Sequence, residues 1–80
     1  MKAKEALKIR LLQLLKEKSL SVNALANRAG VPPTTVYSIL NEKSQNPGIV
    51  SLQKLCDGME ISLRKFFDSP VFDDIEPEIE

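Results

Sequence analysis

Apolar positions first return at helical intervals near the start of the chain. Leu7, Leu11, Leu14 and Leu15 fall on one face at about 100° per residue, the stripe of an amphipathic helix. The run 3–18 that carries them has no Gly or Pro and is rich in Leu, Lys, Glu and Ala, all good helix formers. Ile9 and Leu12 lie off the stripe, so this first helix is apolar over more than its core-facing side.

The pattern then restarts twice in quick succession. Ser21 precedes Val22, Leu25 and Ala26, and its hydroxyl can cap a second helix by accepting a bond from a free backbone N–H. Gly30 is placed to close that helix, because a left-handed terminal residue costs glycine little. Next come Pro32 and Pro33. A residue followed by proline is disfavoured from the α region, so Pro32 is predicted to be extended. Pro33 suits the first helical position, where the N–H it lacks would have no intrahelical partner. Val36, Ile39 and Leu40 supply the i, i+3, i+4 face of a third helix running to about Asn41.

"NEKSQNPG", residues 41–48, reads as a polar loop. A fourth helix fits "IVSLQKLCDGM" with Leu52, Leu55, Cys56 and Met59 inward, and Gly58 weakens its last turn. Ser62 can cap a short fifth helix, "SLRKFF", whose Phe66 returns to the core. Beyond Asp68, Pro70, Pro77 and a run of acids predict an irregular tail. "VFDDI" alternates too briefly for a strand, and there is no repeat. The expected fold is therefore all-α: a compact five-helix bundle over residues 1–67 and an acidic C-terminal tail over 68–80.

Length and charge narrow the function. With 80 residues there is room for one modest core, which excludes a two-domain enzyme. Formal charge is zero, but all eleven Lys and Arg precede residue 66, while six of the eleven acids lie in the last thirteen residues. Residues 1–67 thus carry +6 and the tail −6. A basic body suits an anionic partner, and the tail is either a solvated terminus or a competitor for the basic face. Cys56 is the only cysteine; its apolar neighbours mark a small buried hydrophobe. There is no His, no multi-ligand metal cluster and no phosphate-cradling glycine loop, so no catalytic site, metal or cofactor is expected. "LKIRLLQLL" is interrupted by Arg10 and Gln13, which predicts neither a secretory core nor a membrane span; a cytoplasmic protein is expected.

Two short helices joined by a tight turn around one glycine form the helix-turn-helix arrangement, which holds the second helix so that its N-terminal end can project into the DNA major groove. "LSVNALANRAGVPPTTVYSIL" resembles the Cro/repressor-type (XRE-like, lambda-repressor-like) family of transcriptional regulators from the end of helix one through the recognition helix. The residues that carry the resemblance are Leu20, Leu25, Ala26, Gly30, Val31, Val36 and Ile39. Downstream, "NPGIVSLQKLCDGMEISLRKFF" is similar to that family's P-x-x-x-x-L-x-x-I-A-x-x-L-x-V-S-x-x-x-L-F pattern through Pro47, Leu52, Leu55, Cys56, Met59, Ile61, Ser62, Phe66 and Phe67. With residues 7–18 as helix one, the resemblance covers all five helices.

It implies that Pro33, Thr34, Tyr37 and Ser38, with Thr35 nearby, read bases from the start of helix three. Thr and Ser hydroxyls donate and accept, the Thr methyl can meet a thymine methyl, and Tyr can bond a base edge or a phosphate. Pro33 can only fill space or touch a methyl. Phosphate contacts are expected from Ser21 and Asn23 at the start of helix two and from Asn41, Lys43 and Ser44 after helix three. Arg28, near the far end of helix two, can simply face solvent.

Two departures from the family pattern stand out. An arginine of helix one and a glutamate ending the recognition helix, paired in many members, are matched here by Leu15 and Leu40, which are expected to touch. The glycine expected just after the recognition helix is replaced by Glu42-Lys43. The implied function is a small double-stranded-DNA-binding regulator, a repressor, an activator or an antitoxin-type autoregulator, acting as a homodimer on half-sites about 34 Å apart, with no small-molecule ligand evident. Ile9 and Leu12, or Phe67, Val71 and Phe72, are the candidate dimer surfaces. The alternative is a protein-interaction module on the same bundle without DNA affinity.

Overall fold

A computed structural model of the chain describes residues 1–41 and 47–79. It contains α1 (Ala3–Glu17), α2 (Val22–Ala29), α3 (Pro33–Leu40), α4 (Ile49–Gly58) and α5 (Leu63–Phe66), followed by a 3-10 turn, Pro70–Asp74. Among the described residues there is no strand, and no helix is long and apolar enough to cross a membrane. The fold is the all-α, five-helix arrangement that the apolar periodicity predicts.

Most helix boundaries follow from local chemistry. The Ser21 Oγ accepts the Ala24 N–H at 3.0 Å, and the Ser62 Oγ accepts the Lys65 N–H at 3.0 Å, so both expected caps are made. Pro32 is extended (φ −64°, ψ 147°) and Pro33 opens α3. Three helices end in the same 6→1 closure: Leu20 N–H to Leu15 O, Val31 N–H to Ala26 O, and Ile61 N–H to Cys56 O, at 2.9, 3.1 and 3.0 Å. That closure needs a left-handed residue. Gly30 supplies it with φ 70°, but Ser19 and Glu60 adopt φ 55° and 60° without being glycine.

The core gathers Leu11, Leu14 and Leu15 from α1, Leu25 and Ala26 from α2, and Val36 and Ile39 from α3. Leu52, Leu55 and Cys56 from α4, with Met59 and Phe66, complete it. Leu40 is half-buried and packs against the core cluster that contains Leu15. Burial pushes the Cys56 thiol up to about 11, with Asp57 adding to the effect, which makes it a packing residue.

Three features depart from what the sequence predicts. Gly58 has a packing role: a Cβ there would lie 3.0 Å from the Ala29 backbone nitrogen, so its bare backbone lets α4 close on the end of α2. Arg10, which interrupts the apolar run of α1 in the sequence, is turned inward. It is 8% exposed, its Nε donates to the Phe66 carbonyl at 2.6 Å, and its Nη2 donates to the Lys65 carbonyl at 2.9 Å. These are carbonyls at the end of α5, where a helix has no internal donors left and a cation is favoured.

The third feature is order in the C-terminal segment. Pro70–Asp74 forms a 3-10 turn packed on α1, with Phe72 against the core cluster and its ring 5.0 Å from Phe67 and 6.2 Å from Phe66. Beyond it the Glu76 N–H donates to the Met1 carbonyl at 2.8 Å. The Glu76 carboxylate lies 3.2 Å from the Met1 amino group and 3.6 Å from Lys2 Nζ. The hydrogen bond and charge of that amino group, then the charge of Lys2, hold the Glu76 carboxyl below its ordinary value.

Candidate nucleic-acid interface

The turn between α2 and α3 is built on two backbone bonds. Gly30 N–H reaches Asn27 O at 3.3 Å and Val31 N–H reaches Ala26 O at 3.1 Å, after which half-buried Val31 and extended Pro32 lead directly into α3. Because Leu25 and Ala26 of α2 and Val36 and Ile39 of α3 are all buried together, the angle between the helices is fixed by packing as well as by the turn.

On α3 the buried residues leave one outward arc. At about 100° per residue, Pro33, Tyr37, Thr34 and Ser38 follow one another around about 140° of the helix surface. All four are exposed, Tyr37 to 52%. Thr35 sits at the edge of the arc and is half-buried. The helix carries no charged side chain in its sequence PTTVYSIL. Its outward chemistry is therefore hydroxyls, a phenol ring and the apolar face of a proline.

Flanking polar groups lie at the adjoining helix ends. Ser21 and Asn23 are exposed at the start of α2; the Ser21 oxygen is occupied by the cap, but its hydroxyl hydrogen is a further donor. Asn41 is exposed just past α3, where the chain leaves in an extended conformation (φ −95°, ψ 118°) rather than through a left-handed glycine. Arg28 is exposed in the last turn of α2. Lys43 and Ser44, and the Glu42-Lys43 departure, lie outside the described residues.

One group beside α3 is not evident from the sequence. Lys2, Lys4 and Lys8, with Glu5, line a cavity of 470 Å³ that also includes Ile39 of α3. The i, i+4 spacing of Lys4 and Lys8 places them on one side of α1, but only the packing of α1 on α3 brings that side to α3.

The Cro/C1-type HTH DNA-binding domain family matches residues 10–67. The fold is similar to the crystal structure of the prophage Lp1 protein 11, with a TM-score of 0.80 and 30% sequence identity over 94% of this chain and 100% of that one. No curated protein sequence matches. With a helix-turn-helix of this geometry and a family match across more than half its length, the chain belongs to the Cro/C1-type helix-turn-helix DNA-binding domain family.

Proposed function

We propose that this protein is a sequence-specific transcriptional regulator that places α3 in the major groove of duplex DNA. The observation that carries the reading is the uninterrupted outward arc of Pro33, Thr34, Tyr37 and Ser38, opposite a buried face that leaves α3 no freedom to turn. Thr34, Thr35 and Ser38 would meet base-edge donors and acceptors, Tyr37 a base edge or a phosphate, and Pro33 a thymine methyl. Ser21, Asn23 and Asn41, with Lys43 and Ser44, would fix the register on the phosphates. The reading involves no catalytic step.

Dimeric binding belongs to the same proposal, since one eight-residue helix reads only a short half-site. Leu12 (45% exposed) and Phe67 (42%) keep open apolar surface, whereas Ile9 and Val71 are half-buried and Phe72 is committed to the core. Leu12 and Phe67 are therefore the favoured dimer positions of the five.

Selection from a randomised duplex library, followed by sequencing, tests the whole reading. An enriched inverted repeat establishes a dimeric reader, and its affinity should fall steeply with salt through counterion release. Recovery of DNA without a motif removes sequence specificity. No recovery at low salt by folded protein refutes DNA binding and favours a protein partner.

A further inference from the structure

Two acids of the C-terminal segment, Glu76 and Glu78, lie beside the residues at and just before the start of α1. Phe72 anchors the 3-10 turn in the core, and the Glu76 N–H bond to the Met1 carbonyl, 2.8 Å long, fixes the chain beyond it. Glu76 then stands 3.6 Å from Lys2 Nζ, and Glu78 shares the lining of a cavity with Lys4 and Pro47. On the other side the same lysines share a cavity with Ile39 of α3. This basic face thus adjoins both the end of α3, at Ile39, and the start of the approach to α4, at Pro47.

We propose that Lys2, Lys4 and Lys8 form a phosphate-contacting face flanking α3, and that Glu76 and Glu78 occupy it in the free protein as an internal substitute for a DNA backbone. The proposal rests on the DNA-binding reading above. Its chemistry is that of exchange: the Lys2–Glu76 pair is exposed, 60% and 58% on its two side chains, and such pairs are weak and easily replaced. Duplex DNA presents one negative charge per about 1.7 Å of its axis, against two carboxylates on a tethered segment. The aromatic anchor keeps those carboxylates at high local concentration, so they compete without having to bind tightly.

Displacement of Glu76 leaves a distinctive salt signature. In the native chain a lysine that leaves a carboxylate for a phosphate releases a DNA counterion, but the freed carboxylate recruits a cation from solution. The net release is smaller than for a lysine that was unpaired beforehand.

The test is binding of a duplex to the full chain by fluorescence anisotropy across a salt series, with melting curves to establish that each variant is folded. In Glu76→Gln/Glu78→Gln the affinity at low salt should rise by about three- to fivefold, and the log–log salt slope should steepen by up to about 0.9 for each lysine released. In a Lys2→Gln/Lys4→Gln/Lys8→Gln background the same acid substitutions should give no gain. Unchanged affinity and slope in the acid variant, while the native chain binds DNA, overturn the proposal and leave the DNA-binding reading intact. A gain that persists without the lysines also overturns it, by showing a general charge effect. Failure of native and variant proteins alike to bind duplex at low salt overturns both.

Discussion

Replacing Arg10 by methionine keeps the aliphatic length of the side chain and removes its donors. Two bonds from a cation are lost, at 2.6 and 2.9 Å, each worth about 1.5–3 kcal/mol in proteins. Against that gross loss of about 3–6 kcal/mol stands the release of a buried guanidinium from its desolvation penalty, commonly several kcal/mol. The part not offset is the Phe66 carbonyl. Its bond is buried, whereas the Lys65 carbonyl is only part-buried and can turn to water. A buried acceptor left without a donor costs about 1–3 kcal/mol, so Arg10→Met should destabilise by about 2 kcal/mol. In a domain of 80 residues this lowers Tm by about 8–16 °C. Arg10→Lys retains the charge but has one nitrogen for two carbonyls, and should fall between methionine and the native protein. Urea unfolding gives both values. If Arg10→Met matches or exceeds native stability, Arg10 is not the clamp that holds α5 to α1.

Further expectations concern stability, binding and reactivity. Ser19→Gly and Glu60→Gly, at φ 55° and 60°, should each stabilise by about 1 kcal/mol because a left-handed conformation strains a Cβ; urea midpoints check this, and a loss at either site contradicts the strain. Gly58→Ala should cost about 1–3 kcal/mol, since its Cβ would meet the Ala29 backbone at 3.0 Å, and a neutral result would mean that α2 and α4 can part cheaply. Tyr37→Ala should weaken DNA binding by about tenfold or more with little change in Tm, measured by anisotropy beside a melting curve. Cys56 holds its proton to about 11 instead of 9.0, so thiol labelling at pH 8 should be about 100-fold slower in the folded than in the unfolded chain. The same difference makes stability fall as pH rises from the unfolded value of 9.0 towards the folded value near 11, which denaturant titrations across that window will detect.

What was legible in the sequence is what local chemistry decides. Ser21, Ser62, Gly30 and Pro33 each mark a helix end through their own side chain or backbone limits, and the structure places all four as expected. The outward arc of α3 was legible too, because burial of Val36 and Ile39 determines by periodicity which residues face away. The hidden features depend on partners distant in the chain or on residues that break a local preference. Arg10 finds its carbonyls 55 and 56 residues later. Gly58 reads as a weak helix residue until Ala29 is beside it. Ser19 and Glu60 carry no sign of a left-handed turn, because the backbone closure at the helix end imposes it on side chains that do not favour it. The lysines at the start of α1 spell out a basic helix, but their nearness to Ile39 is a product of the bundle.

The paired prolines ahead of α3 have a thermodynamic and kinetic consequence. Fixing one residue's backbone costs about 1–2 kcal/mol of entropy, and at Pro32 and Pro33 ring closure has already removed much of that freedom from the unfolded chain. The leading turn of the helix is thus rigid before any DNA arrives. Association can then proceed as a docking of preformed surfaces, at a rate set by diffusion and electrostatics. Its heat-capacity change would scale with the contact area alone, and would be smaller than that of a segment that folds as it binds.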